Sequence, residues 1–158
     1  MVVRSFSKSY SMTGFRVGYV AAGREIITAL AALQSHLTGN VCTFAQYGAL
    51  AALSLDPEAK EAWRVEMQRK RDIAYGYIST VFRCIKPRGA FYLFPDVTDS
   101  LAPGESTAQL AERILTVSHV AVVPGEAFGV GNHLRISYGV SEKIIIEGLE
   151  RLVALQRP

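Results

Sequence analysis

The chain has 158 residues, of which 49% are hydrophobic and 20% charged, the balance of an ordinary globular protein. That length allows one domain or two small ones and can bury roughly 70% of the unfolded surface, so a normal core is possible. The net charge of +3 is mild, comes largely from arginine and does not by itself point to nucleic acid, and neither a run of eighteen apolar residues nor a signal-peptide pattern argues for a membrane.

Val2 to Arg4 and Val17 to Ala21 are short apolar runs that read as strands. They flank the stretch Ser5-Phe6-Ser7-Lys8-Ser9-Tyr10-Ser11-Met12-Thr13-Gly14-Phe15-Arg16-Val17-Gly18-Tyr19. A lysine that serves as an amine nucleophile needs nearby positive charge or desolvation to lower its pKa. The hydroxyls of Ser5, Ser7, Ser9, Ser11 and Thr13 and the guanidinium of Arg16 offer donors to a dianionic phosphate, Arg16 as a bidentate fork. Gly14 and Gly18 permit close backbone approach. The chemistry indicated is an imine between Lys8 and an aldehyde cofactor anchored by its phosphate, which describes pyridoxal 5'-phosphate. Stripped of the wider pattern, the same residues would be a polar loop with a solvated lysine.

Gly23-Arg24-Glu25 starts a helix to about Leu37, with Ile26, Ile27, Leu30, Leu33 and Leu37 along one face, and Thr38-Gly39-Asn40 stops it. Thr43 and Gln46 form a capping box for an alanine-rich, close-packed helix over 44–54. Asp56-Pro57 starts a long helix to about Phe82, with Trp63, Met67, Ala74, Tyr77, Ile78 and Val81 as its apolar positions. Lys86 to Gly89 is a turn, Ala90 to Phe94 a strand ended by Pro95, and 96–105 a loop. Ser106 and Gln109 form a second capping box for a helix to about Ser118. Val120 to Val123 reads as a buried strand and Pro124-Gly125 as a turn out of it. Gly129 to Asn132 reads as a loop and 134–138 as a strand. Ser141 caps a last helix to about Leu155, with Ile144, Ile145, Leu149, Leu152 and Val153 inward. Helices alternating with short strands argue α/β or α+β rather than a bundle.

Trp63 and Met67 read as core, and His119 and His133 as structural, because neither histidine has a partner spacing for a metal or a triad. Arg64, Arg69, Lys70, Arg71, Arg83, Lys86 and Arg88 are interrupted by acidic residues and read as a solvated face. The remaining lysines read as exposed. Cys42 and Cys84 lie far apart without a CxxC or Cys/His cluster, so no metal site or disulfide framework is indicated. Both are expected to be reduced, in a cytoplasmic protein.

The pattern S-F-S-K-x-Y-x-M-x-G-x-R-x-G-Y resembles the cofactor-lysine signature of the fold-type-I, class I/II pyridoxal-phosphate-dependent aminotransferases. Residues 88–95, 122–129 and 134–138 look like later segments of the same family, in the same order. The resemblance is to the C-terminal portion, and closest to the aspartate and aromatic amino-acid branch. It implies an α/β chain with 1–54 as an edge of the large cofactor-binding domain and 55–158 as a long linking helix and an α+β small domain.

The resemblance implies Lys8 as the Schiff-base lysine and general base and acid, Ser5 and Arg16 as phosphate ligands with Ser7 a weaker one, and Arg135 as the grip on the substrate α-carboxylate. If Leu134 and Ile136 face the core, Arg135 faces the other way; the alternative is a structural ion pair. Residues 125–129 would be a shaping loop without a catalytic role. The substrates would be an amino acid and a 2-oxo acid, and the full-length protein a homodimer. The family's aspartate for the pyridine nitrogen, its stacking aromatic, its asparagine and tyrosine for the phenolic oxygen and a glycine-rich phosphate turn lie ahead of the lysine, and no stretch here replaces them. The chain alone is therefore expected to be inactive. A non-catalytic association domain and a β-lyase on the same fold are the alternatives.

Overall fold

In the computed structural model, which describes residues 1–155, two compact units follow one another, Met1–Lys60 and a second from Glu61 onward. The first holds β1 (Val2–Ser5), a one-turn helix α1 (Phe6–Ser9), a 3₁₀ turn (Thr13–Phe15), β2 (Gly18–Ala21), α2 (Arg24–Leu37) and α3 (Thr43–Leu53). Strands β1 and β2 are antiparallel, with Val2 opposite Ala21 and Ser5 opposite Gly18. The Phe6 N–H continues the ladder to the Val17 carbonyl at 3.1 Å, so the stretch bearing Lys8 is the loop of a hairpin. A two-stranded hairpin is marginal by itself. Here Phe6, Met12 and Val17 are buried against Ala45, Ala49 and Ala52, one face of α3. The alanines let the loop approach closely, as the composition of α3 predicts.

One local expectation in this unit needs correction. Thr43 is not an N-cap: it is already helical, Cys42 takes the cap position without a side-chain bond, and Gln46 Nε2 reaches back to the Val41 carbonyl at 2.8 Å. Helix α2 buries none of its residues, and its apolar face is uncovered, with Leu37 68% exposed.

The second unit takes up most of α4 (Pro57–Ile78), then β3 (Tyr92–Leu93), a 3₁₀ turn (Thr98–Ser100), α5 (Thr107–Ser118), β4 (Val123–Pro124), a 3₁₀ turn (Gly125–Phe128), β5 (Leu134–Ser137) and α6 (Glu142–Ala154). The sheet order is β3-β5-β4, antiparallel throughout, with Leu93 opposite Ile136 and Val123 opposite Arg135. Its core gathers Ala74, Ile78 and Phe82, the sheet residues Leu93, Leu134 and Ile136, and Leu110, Ile114, Ile145, Leu149 and Leu152 from α5 and α6. Asp56 Oδ1 accepts from the Glu58 N–H at 2.9 Å with Pro57 in the first turn, and the Ser106–Gln109 capping box is present in full.

Several bounds shift. The helix expected to reach Phe82 ends at Ile78, where Ser79 and Thr80 turn their hydroxyls back onto the Gly76 and Tyr77 carbonyls. Only Tyr92–Leu93 of 90–94 is strand: Ala90 has a left-handed φ of 60°, and Pro95 has no N–H to continue the ladder. The run 120–123 is not a buried strand; its paired part is Val123–Pro124, and Ala121 is exposed. Ser141 stands at the N-cap of α6 without a side-chain bond. Trp63 is 47% exposed and Ile144 58%, whereas Ile145, Leu149 and Leu152 share the buried face of α6. Met67 does pack against the core. Lys60 and Lys70 are half-buried rather than exposed.

The basic residues of α4 and the following turn meet carboxylates. Arg64 pairs with Glu61, Arg69 with Glu66 and Glu142, Lys70 with Glu66, Arg71 and Lys86 with Asp72, and Arg83 with Asp96. No helix of the described residues is long and apolar enough to cross a membrane.

Candidate functional site

Ser5 ends β1 in extended geometry and caps α1, its Oγ accepting the Ser7 N–H at 3.1 Å. Lys8 lies in that single turn and is exposed, because Phe6 is the residue of α1 that plugs into α3. Arg16 follows the 3₁₀ turn in the left-handed region, at φ 53°, and its guanidinium donates to the Thr13 carbonyl at 2.9 Å. Ser11 is left-handed too, at φ 54°. Two such non-glycine residues in one loop store strain of about 1–3 kcal/mol each, which the plugged Phe6, Met12 and Val17 hold in place. Gly18 is required where the hairpin closes, since a Cβ there would lie 2.7 Å from the Arg4 carbonyl oxygen.

Arg16 and Ser11 also form part of a cleft of about 620 Å³ with Gln34, Thr38, Asn40 and Cys42, whereas Lys8 and Ser5 are not among its walls. The loop therefore presents one amine, the hydroxyl residues Ser5, Ser9, Ser11 and Thr13 and a guanidinium outward while Phe6, Met12 and Val17 point inward. That donor set fits an aldehyde carrying a phosphate: the amine suits the carbonyl, and the hydroxyls and guanidinium suit the anion. Among the described residues no cluster of histidine, cysteine, aspartate and glutamate could hold a metal ion.

Arg135 belongs to the second unit and lies on β5, the middle strand. Period-two alternation turns Leu134 and Ile136 into the core and leaves Arg135 half-buried on the opposite face. The register places Tyr92 and Ser137 on that same face. The Arg135 Cζ lies 4.5 Å from the centre of the Tyr92 ring and 4.9 Å from that of Phe128. The side-chain contacts that place it are these two rings.

The turn that carries Phe128 is itself tied down. The Gly125 N–H donates to the His133 carbonyl at 2.8 Å, and a Cβ on Gly125 would meet the Val130 carbonyl oxygen at 2.1 Å. Glu126 accepts from the Thr107 N–H at 2.9 Å and from the buried Thr107 hydroxyl, bonds that hold its carboxyl below the usual glutamate range. His133 stacks on Phe94, with centroids 4.8 Å apart, and Phe94 meets Phe128 edge-on at 5.9 Å. The two rings at Arg135 were not singled out from the sequence. Tyr92 carries a signal in hindsight, the alternation Tyr92-x-Phe94 beside Arg135-x-Ser137. Phe128 has none, since its approach depends on how the turn folds back.

The family model for aminotransferase class I and II matches residues 1–152. Over 155 residues the chain is 44% identical to a probable aspartate/prephenate aminotransferase of Aquifex aeolicus, covering 95% of this chain and 39% of that protein. It is 36% identical over 156 residues to the aspartate aminotransferase of Bacillus subtilis, covering 96% of this chain and 40% of that one. Among solved structures, the aromatic aminotransferase of Pyrococcus horikoshii superposes with a TM-score of 0.88 at 36% identity, over 96% of this chain and 41% of that one. The chain thus spans about 40% of the length of these relatives, and its architecture matches the corresponding part of theirs.

Proposed function

The chain belongs to the class I and II aminotransferases, and from that premise we propose that it carries the cofactor lysine, the phosphate ligands and the carboxylate-binding arginine of a pyridoxal-phosphate-dependent transaminase. The reaction is exchange of an amino group between an amino acid and a 2-oxo acid, with aspartate-type substrates favoured by the names of the relatives. Pyridoxal 5'-phosphate supplies an electron sink for the charge left at the substrate Cα. Ser5 and Arg16 would bind the phosphate, with Ser7 as a weaker ligand. Lys8 Nζ would hold the aldehyde carbon and, as a free amine, would take the proton from the substrate Cα and hand it on. Arg135 holds the α-carboxylate by two parallel hydrogen bonds, which fixes the direction of the Cα–H bond.

The ring-nitrogen aspartate and the other groups that family resemblance places ahead of the lysine have no counterpart in this chain. Activity therefore belongs to a protein that carries them too, a homodimer in this reading, and the chain alone is inactive. The cytoplasm is the proposed compartment, in keeping with the free thiols of Cys42 and Cys84. The division 1–54 and 55–158, into a large-domain portion and a small domain, remains part of the proposal.

The observation that carries this reading is the hairpin loop that turns Ser5, Lys8 and Arg16 outward while Phe6, Met12 and Val17 are buried. Borohydride reduction of the chain mixed with pyridoxal phosphate, followed by peptide mass spectrometry, tests it. Labelling concentrated on Lys8 and competed by inorganic phosphate is expected. Labelling spread evenly over Lys8, Lys60, Lys70, Lys86 and Lys143 would sink the proposal that the loop holds a cofactor site.

A further inference from the structure

Arg135 sits on the central strand of its sheet, and the two rings against it come from the two flanks of that strand. Tyr92 belongs to β3, and Phe128 to the turn that follows β4. A guanidinium is planar and weakly hydrated, so its faces suit aromatic rings while its N–H edge suits a carboxylate. Among the described residues of its own unit the arginine ion pairs are those of Arg64, Arg69, Arg71, Arg83, Arg113 and Arg151, and Arg135 is half-buried rather than sealed off. We propose that Tyr92 and Phe128 are positioning residues, which fix the Arg135 guanidinium by its faces and so keep its N–H edge aimed at an incoming carboxylate. The proposal rests on the reading of Arg135 as the carboxylate grip.

The surroundings make this a rigid device rather than a chance contact. Tyr92 is fixed by the ladder, paired with Ser137 next but one to Arg135. Phe128 is half exposed, yet its turn is tied down at its first two residues and closed by the Val130 N–H donating to the Gly125 carbonyl at 3.0 Å. Glu126 holds it to the first turn of α5, and the Gly125 N–H holds it to His133 just before β5. Phe94 then braces Phe128 edge-on. The turn over 125–128 thereby acquires a role at the substrate grip without touching substrate. An arginine side chain free to sample its rotamers would lose much of its binding in ordering itself, and a pre-set one loses little.

The test is side-chain NMR of the whole chain, labelled with ¹⁵N arginine and titrated with propionate, with propionamide as the uncharged control. The Arg135 Nε–Hε signal is identified by its loss in Arg135→Lys. In the wild type it is expected to be displaced by ring currents and to move with propionate but not with propionamide. Tyr92→Leu and Phe128→Leu should each relax the ring-current displacement and weaken propionate binding on the order of fivefold, the factor that about 1 kcal/mol of cation–π contact represents. Tyr92→Phe keeps the ring and should restore both readouts. Leucine variants that bind propionate as the wild type does would overturn the positioning role and leave the carboxylate grip standing. A Tyr92→Phe variant as weak as Tyr92→Leu would overturn it as well, by assigning the effect to the hydroxyl. A wild-type Arg135 signal indifferent to propionate would overturn the grip itself and the positioning role with it.

Discussion

Gly125 shows how one residue constrains a site. A Cβ there would lie 2.1 Å from the Val130 carbonyl oxygen and 2.6 Å from that of His133, both backbone atoms with little freedom to give way. Gly125→Ala is expected to destabilise the second unit by about 1–3 kcal/mol, read as a lower urea midpoint. Glu105 is the residue with the clearest pH signature. Arg113 grips its carboxylate at both oxygens, 2.9 and 2.8 Å, the Ala102 N–H adds a third bond at 2.9 Å, and together they hold its pKa at about 2 against 4.5 for an ordinary glutamate. The folded pKa is depressed, so the stabilisation is complete above 4.5 and is lost as pH falls toward about 2. Thermal unfolding followed from pH 6 down should show that acid limb, and Glu105→Gln should flatten it. An unchanged limb in the variant would assign the acid sensitivity to other carboxylates.

At the scale of elements, two sequence signals of the same kind met different fates. Ser106 and Gln109 exchange both bonds of a capping box at the start of α5, whereas Thr43 has moved one residue inside α3 and caps nothing. Ser106→Ala should therefore cost about 1 kcal/mol, and Thr43→Ala should stay within about 0.5 kcal/mol. Equal losses in urea unfolding would refute the distinction. The difference is one of local competition. A capping box needs only residues three apart, but Val41 and Cys42 present carbonyls that Gln46 satisfies instead. Helix α6 teaches the same lesson about faces. Ile145, Leu149 and Leu152 follow the helical period into the core, and Ile144, one step round the axis, is left in solvent.

Over the whole chain, the two units differ in what they bury. The second owns a core of strands and helices in which Ile78, Leu93, Leu110, Ile114 and Leu152 are inaccessible. In the first, α3 carries no charged residue and yet exposes Phe44 at 77% and Tyr47 at 70%, while Leu33 and Leu37 of α2 are also out. Apolar surface on that scale drives association. Sedimentation of the purified chain should show concentration-dependent oligomers, and the paired change Phe44→Lys with Leu37→Lys should shift it toward monomer. A monomer at every concentration in the wild type would contradict this.

Local chemistry was enough to read the aspartate-proline start of α4, the box at Ser106 and the direction in which Arg135 leaves its strand. Each depends on residues a few positions apart, whose geometry the backbone period dictates. The division of burial was not legible in that way. The period of Ile26, Ile27, Leu30, Leu33 and Leu37 marks an apolar face, but a period cannot supply the partner that would cover it. Nor could sequence spacing place Phe128 against Arg135, or pair Arg69 with Glu142 between α4 and α6. Those contacts, across seven residues for Phe128 and Arg135 and across 73 for Arg69 and Glu142, exist only once the turns between them have closed.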